Sequence, residues 1–166
     1  MASQIEDWIV DQIKAIQFES ADALDPEDVK PWEGTSAGTI EKIADQLFSG
    51  KRNTAARVLF VSDSAEDLAD AQIEIRGRYL ILIGIRNFRP GAARRGDGSE
   101  TPTRWGTNAM RDLLKAAFNQ KTPDLTDGTT YTDVTRYMGA TIEFNSETSC
   151  VLKVMVEVTE VPSAAA

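Results

Sequence analysis

The stretch Ala71-Gln72-Ile73-Glu74-Ile75-Arg76-Gly77-Arg78, running into Tyr79-Leu80-Ile81-Leu82-Ile83-Gly84-Ile85, decides the fold. It alternates apolar and polar residues and then becomes nearly continuously apolar, which predicts a β-strand. Upstream, Arg57-Val58-Leu59-Phe60-Val61 reads as a second strand. The polar, acidic segment from Ser62 to Asp70 turns the chain between them, so the two are expected as antiparallel neighbours. Downstream, Asn87 to Thr103 forms a long Gly/Pro/Arg loop, well beyond the usual connection of about 4–6 residues. A helix is expected from about Arg104 to Asn119, with Ala109, Met110, Leu113, Leu114, Ala117 and Phe118 on its apolar face. Tyr131 to Phe144 and Ser149 to Val161 then read as a hairpin about Asn145-Ser146-Glu147-Thr148, in which Val154, Val156 and Val158 share one face.

At the other end of the chain, Ile5, Trp8, Ile9, Ile13 and Ile16 recur at the three-and-four spacing of a helix from Ser3 to about Phe18. Ser3 and Glu6 form a capping box at its start, where hydroxyl and carboxylate satisfy free backbone N–H groups. Glu19 to Ser36 carries Pro26, Pro31 and Gly34 among many acids and reads as an exposed loop. A second helix is expected from Ala37 or Thr39 to Phe48, stopped by Gly50. The order helix, helix, strand, strand, helix, strand, strand predicts an α+β fold: a mostly antiparallel four-stranded sheet with about three packed helices and a long Arg-rich loop. Residues 1–161 are expected to form a single domain, with 162–166 a flexible tail.

Composition bounds the function. A hydrophobic fraction of 42% and a charged fraction of 27% are those of a globular chain. No apolar run approaches the roughly 18 residues that span a bilayer, and the N-terminus lacks the basic-then-apolar pattern of a signal peptide, so no membrane partner is expected. Histidine is absent, which removes every Ser-His-Asp or Cys-His arrangement. The single cysteine, Cys150, stands beside Val151 and Leu152 with nothing to activate it and reads as a core residue. Asp25, Glu27 and Asp28, like Glu66, Asp67 and Asp70, lack the Gly-centred spacing of a calcium loop and read as solvated surface. Gly34-Thr35-Ser36-Ala37-Gly38-Thr39 has neither a strand before it nor the Gly-Lys-Ser/Thr of a phosphate loop. No enzymatic activity, metal or cofactor is therefore expected.

The net charge of −8 is unevenly distributed: residues 1–50 hold 11 acidic and 3 basic side chains, and the remainder is neutral. Within that remainder Arg76, Arg78, Arg86, Arg89, Arg94, Arg95 and Arg104 face only Asp97 and Glu100, a local excess of +5. An acidic region and a basic segment on one chain suit a heterologous contact between copies, and equally suit two unlike partners. Guanidinium groups offer a planar fork to carboxylates or phosphates, so Arg86, Arg89, Arg94, Arg95 and Arg104 are the candidate contact residues, with Trp105 as an apolar anchor. The acidic whole repels phosphates and no aromatic residues interleave the loop's arginines from Arg89 to Arg104, so protein partners fit better than sequence-specific nucleic acid.

Several segments together resemble one known family. The N-terminal amphipathic helix, Val29-Lys30-Pro31-Trp32-Glu33-Gly34, Ala55-Ala56-Arg57-Val58-Leu59-Phe60-Val61, and the strand from Tyr79 into Asn87-Phe88-Arg89 with Arg94 and Arg95 are similar to the tail terminator family of Mu-like contractile-tailed phages. The helix Gly106-Thr107-Asn108-Ala109-Met110-Arg111-Asp112-Leu113-Leu114 and the closing hairpin extend the likeness over nearly the whole chain. The resemblance implies a structural virion protein that assembles in the host cytoplasm as a homohexameric ring. It would cap the tail tube at the neck end, stop tube and sheath polymerisation, and meet the tail tube protein, the tail sheath protein and the neck or head-tail connector. The alternatives are a neck or head-tail connector, which shares the size and ring habit, and, in a different class, a small cytoplasmic ligand-binding or enzymatic domain.

Overall fold

The computed structural model describes residues 2–18, 21–22, 28–32, 53–69, 72–96, 106–123 and 135–161. In chain order these form α1 (Ala2–Lys14), the two-residue strands β1 (Gln17–Phe18) and β2 (Ala21–Asp22), β3 (Val29–Pro31), β4 (Thr54–Asp67), β5 (Ile73–Arg86), the one-turn helix α2 (Ala92–Arg95), α3 (Gly106–Phe118), β6 (Arg136–Asn145) and β7 (Ser149–Glu160). The main sheet has the order β3-β4-β5-β7-β6, so β5 lies in its middle.

That central place explains the apolar run of β5. Successive side chains of a strand point to opposite faces. Ile81, Ile83 and Ile85 enter the main core with Val58, Cys150, Leu152, Val154 and Val156. On the other face Leu82 joins Ala55 and Val151, with Trp32, Leu59, Leu80 and Phe144 packed against them. The helices cover the first face. From α1 come Ile5, Trp8, Ile9 and Ile13, and from α3 Met110, Leu114 and Phe118, all at helical spacing. Trp8 meets Phe118 edge-on with ring centroids 6.0 Å apart, which ties the two helices together.

The fold is α+β and the sheet mostly antiparallel as expected, but it has five strands, not four, and one of its four pairings is parallel. The extra strand, β3, falls in the segment read as loop and runs parallel to β4, with Val29 opposite Ala56 and Pro31 opposite Val58. Three residues are too few to show a period, and Pro31 speaks against a strand except at an edge, where its missing N–H costs no ladder bond. Side chains secure this edge: the Thr54 hydroxyl donates to Asp28 Oδ2 at 3.1 Å, and an Arg57 guanidinium nitrogen donates to the Asp28 carbonyl at 2.8 Å.

Other boundaries moved for related reasons. Helix α1 already includes Ser3, so that residue is not its N-cap, and Glu6 Oε1 instead accepts the Phe60 N–H at 2.6 Å. The helix stops at Lys14, and Gln17–Phe18 pairs with Ala21–Asp22. Strand β4 runs on to Asp67, because Ser62–Asp67 pairs with Ile73–Arg78 although those residues are polar. The turn shrinks accordingly to the segment closed by the Leu68 N–H donating to the Gln72 carbonyl at 2.8 Å. The hairpin about Asn145–Thr148 stands where expected, its Ser146 N–H bonded to the Ser149 carbonyl at 2.8 Å. The helix expected from Ala37 or Thr39 to Phe48 lies outside the described residues, as does the tail at 162–166. Among the described residues the third helix is the single turn α2, inside the segment read as a long loop.

Tyr79 carries a testable consequence of this packing. Burial, reinforced by the nearby Glu160, Glu6 and Asp63 carboxylates, holds its phenol well above the ordinary tyrosine value. The unfolded chain loses that proton near about pH 10 while the folded chain keeps it. The tyrosine's contribution is therefore complete below pH ~10 and is lost as pH rises beyond it. Tyr79→Phe is expected to reduce the fall in urea midpoint between about pH 8 and about pH 11; an undiminished fall would contradict the assignment.

Candidate functional site

The end of β5 delivers the arginine-bearing segment to one edge of the molecule and ties it down. The Arg86 N–H donates to the Asn53 carbonyl at 2.7 Å, the Asn87 N–H to the Thr148 carbonyl at 2.8 Å and the Gly91 N–H to the Glu147 carbonyl at 2.8 Å. Asn87 Oδ1 accepts the Arg89 N–H at 3.0 Å, a local turn of the kind asparagine favours. Gly91, at φ 77°, then starts α2, whose Ala92 and Ala93 are buried while Arg94 and Arg95 point outward in its last turn. The segment is thus a shaped surface fastened to the β6–β7 turn.

Of the candidate contact residues, Arg89, Arg94 and Arg95 come together as exposed side chains at this end of the sheet, and Arg86 is half-buried beside them. Arg94 and Arg95 form no ion pair with a described carboxylate. Arg104 and Trp105 lie outside the described residues. A residue that sequence reasoning had not singled out joins them: Phe88 is 79% exposed between the half-buried Asn87 and the exposed Arg89. Its position directly after a buried strand was the available signal, but one aromatic residue has no period to betray which way it faces.

Packing behind the segment is tight. Gly106, at φ +63°, lies so close to α2 that a Cβ there would come within 2.6 Å of the Arg94 carbonyl oxygen and the Gly96 nitrogen. Beneath it, Thr107 Oγ1 and Cys150 Sγ are 3.2 Å apart. Burial pushes the Cys150 thiol up, with Thr107 and Arg94 opposing that more weakly. The residue is wholly buried and its thiol is protonated at neutral pH, in accord with a core role.

A second surface was not foreseen. Beyond Phe60 the β4–β5 ribbon projects past the core, and Val61 to Ala69 are all exposed. Phe60, Val61, Leu68 and Ile73 leave apolar surface open there, beside the acidic side chains Asp63, Glu66 and Asp67. Elsewhere, an open groove of about 510 Å³ lies between α1 and β3, lined by Asp7, Val10, Asp11, Lys14, Val29, Lys30 and Pro31. Among the described residues no group of histidine, cysteine and carboxylate side chains is placed to hold a metal ion, and no helix is long and apolar enough to cross a membrane.

No protein-family model matches the chain, and a comparison with curated proteins found no match.

Proposed function

We propose that this chain is a structural virion protein: a tail terminator that forms a homohexameric ring, caps the tail tube, stops tube and sheath polymerisation and offers a surface to the neck. The observation that carries the reading is the short segment tethered to the β6–β7 turn, which exposes Phe88, Arg89, Arg94 and Arg95. Exposed aromatic and arginine side chains held on one segment are characteristic of protein contact surfaces. The likeness of the strand-to-loop segment and of α3 to the Mu-like terminators supplies the kind of contact. A neck or head-tail connector would use such a surface too, and tube capping separates the two roles.

Termination requires one face that binds the last tube ring and another that accepts no further tube subunit. Added to polymerising tail tube protein, the chain is expected to halt elongation. The triple variant Arg89→Ala, Arg94→Ala, Arg95→Ala, folded by circular dichroism, is expected to need about tenfold more protein for the same effect, each tenfold being about 1.4 kcal/mol of lost contact energy. Tubes that elongate unhindered by the wild-type chain would refute the reading.

A further inference from the structure

The two ends of β5 carry complementary surfaces that cannot meet within one molecule. At its beginning, Asp63, Ala65 and Asp67 of β4 stand opposite Gly77, Ile75 and Ile73 of β5. Directly paired residues share a face, so Ile73 and Ile75 lie between two carboxylates on one side of the ribbon. Phe60 and Val61 continue the apolar surface at its root, and Leu68 at its tip. Neither Asp63 nor Asp67 is paired with a described cation. On the opposite side of the ribbon, which also carries Glu66, the charges are largely paired and no large apolar side chain among the paired residues is exposed, Arg76 meeting Glu74 at 2.8 Å and Arg78 meeting Glu157 at 3.6 Å. One face alone is left both apolar and acidic.

At the other end of the strand, the segment from Phe88 to Arg95 exposes Phe88, Arg89, Arg94 and Arg95, apolar and cationic. Together these two ends hold five of the seven exposed large apolar side chains among the described residues; the other two, Met138 and Ile142, lie on β6. Strand β5 has 14 residues, which at about 3.3 Å per residue separates its ends by roughly 40 Å. Intramolecular contact is therefore impossible.

We propose that the β4–β5 ribbon of one copy docks on the Phe88–Arg95 end of the next. Phe88 sits against Ile73 and Ile75, while the forks of Arg94 and Arg95 engage Asp63 and Asp67. Each copy gives one surface and receives the other, a head-to-tail arrangement that generates a ring when its rotation closes. The contact rests on the ring-forming reading above and supplies its subunit interface, but it can be tested without tubes. The apolar insertion supplies adhesion, and the charge pairs set direction and register.

Cysteine cross-linking of the full chain tests it, since the native Cys150 is buried. On mild oxidation Ile73→Cys alone and Phe88→Cys alone are expected to give no covalent dimer, their mixture to give a heterodimer, and the double variant to give a ladder of linked copies with an upper limit. Charge reversal probes the rest of the contact. Asp63→Arg with Asp67→Arg is placed on the Ile73→Cys chain, and Arg94→Asp with Arg95→Asp on the Phe88→Cys chain. Mixing either reversed chain with the unreversed partner brings like charges together, and the heterodimer yield is expected to drop on the order of tenfold. Mixing the two reversed chains restores opposite charges, and the yield is expected to return. Self-linking of either single variant, failure of the doubly reversed pair to recover, or equal yield with a control Glu74→Cys on the opposite face would overturn the proposal. Cross-linking without tube capping would remove the terminator role and leave the contact; capping without cross-linking would do the converse.

Discussion

Phe118→Ala is expected to lower stability by about 3–5 kcal/mol, the usual range for emptying a buried phenylalanine site. Among the described residues Phe118 is the largest fully buried side chain, in the last turn of α3, and its ring meets Trp8 of α1 edge-on. Three elements lose contacts at once: α3, which the side chain anchors to the sheet, α1, whose indole loses its neighbour, and the strands beneath both. The void cannot collapse easily, because Ile9, Leu114 and Val156 of the same core sit on separate rigid elements. Urea unfolding followed by tryptophan emission should show a lower midpoint with an unchanged slope. Phe88→Ala provides the contrast: removal of a ring that is 79% exposed should stay within about 0.5 kcal/mol. Equal effects at the two positions would contradict the packing described above.

Gly106→Ala is expected to cost roughly 2–4 kcal/mol, a large effect for the addition of one methyl group. Two costs combine. A left-handed backbone at φ +63° is disfavoured by about 1–2 kcal/mol for a residue with a Cβ. The new carbon would also lie 2.6 Å from the Arg94 carbonyl oxygen and the Gly96 nitrogen, so α2 must move. Gly91 isolates the first cost, because it too has a positive φ, 77°, but a Cβ there meets nothing within 4 Å. For a chain of this size a change of 1 kcal/mol moves the melting temperature by about 2–4 °C, so Gly106→Ala should melt clearly below Gly91→Ala. Because the strain falls on the turn bearing Arg94 and Arg95, Gly106→Ala should also impair any contact made there. Identical melting of the two variants would show that α3 and α2 are not so closely apposed.

Legibility in the sequence followed the number of residues that shared one constraint. Helix α3 was readable because Met110, Leu114 and Phe118 repeat at one period against one face, and β5 because both of its faces are covered over Tyr79–Ile85. Strand β3 was not, since Val29, Lys30 and Pro31 are too few to form a pattern and are held by partners distant in the chain, Asp28 with Thr54 and Arg57. The outer ribbon was missed for a different reason. Ser62–Asp67 are polar and exposed and stay extended through cross-strand pairing with Ile73–Arg78, a relation that local composition does not record. At the site, Arg89, Arg94 and Arg95 were legible as an unbalanced run of charge. Phe88 was not, because exposure of a single aromatic side chain depends on the turn set by Asn87 and Gly91 and on the tether to Thr148 and Glu147.

The most direct test of the proposed role is negative-stain microscopy of tail tubes mixed with the purified chain, alongside light scattering of the chain alone. Rings seated on tube ends are expected, whether or not rings persist in free solution. Bare tube ends together with a monomer at every concentration would contradict it.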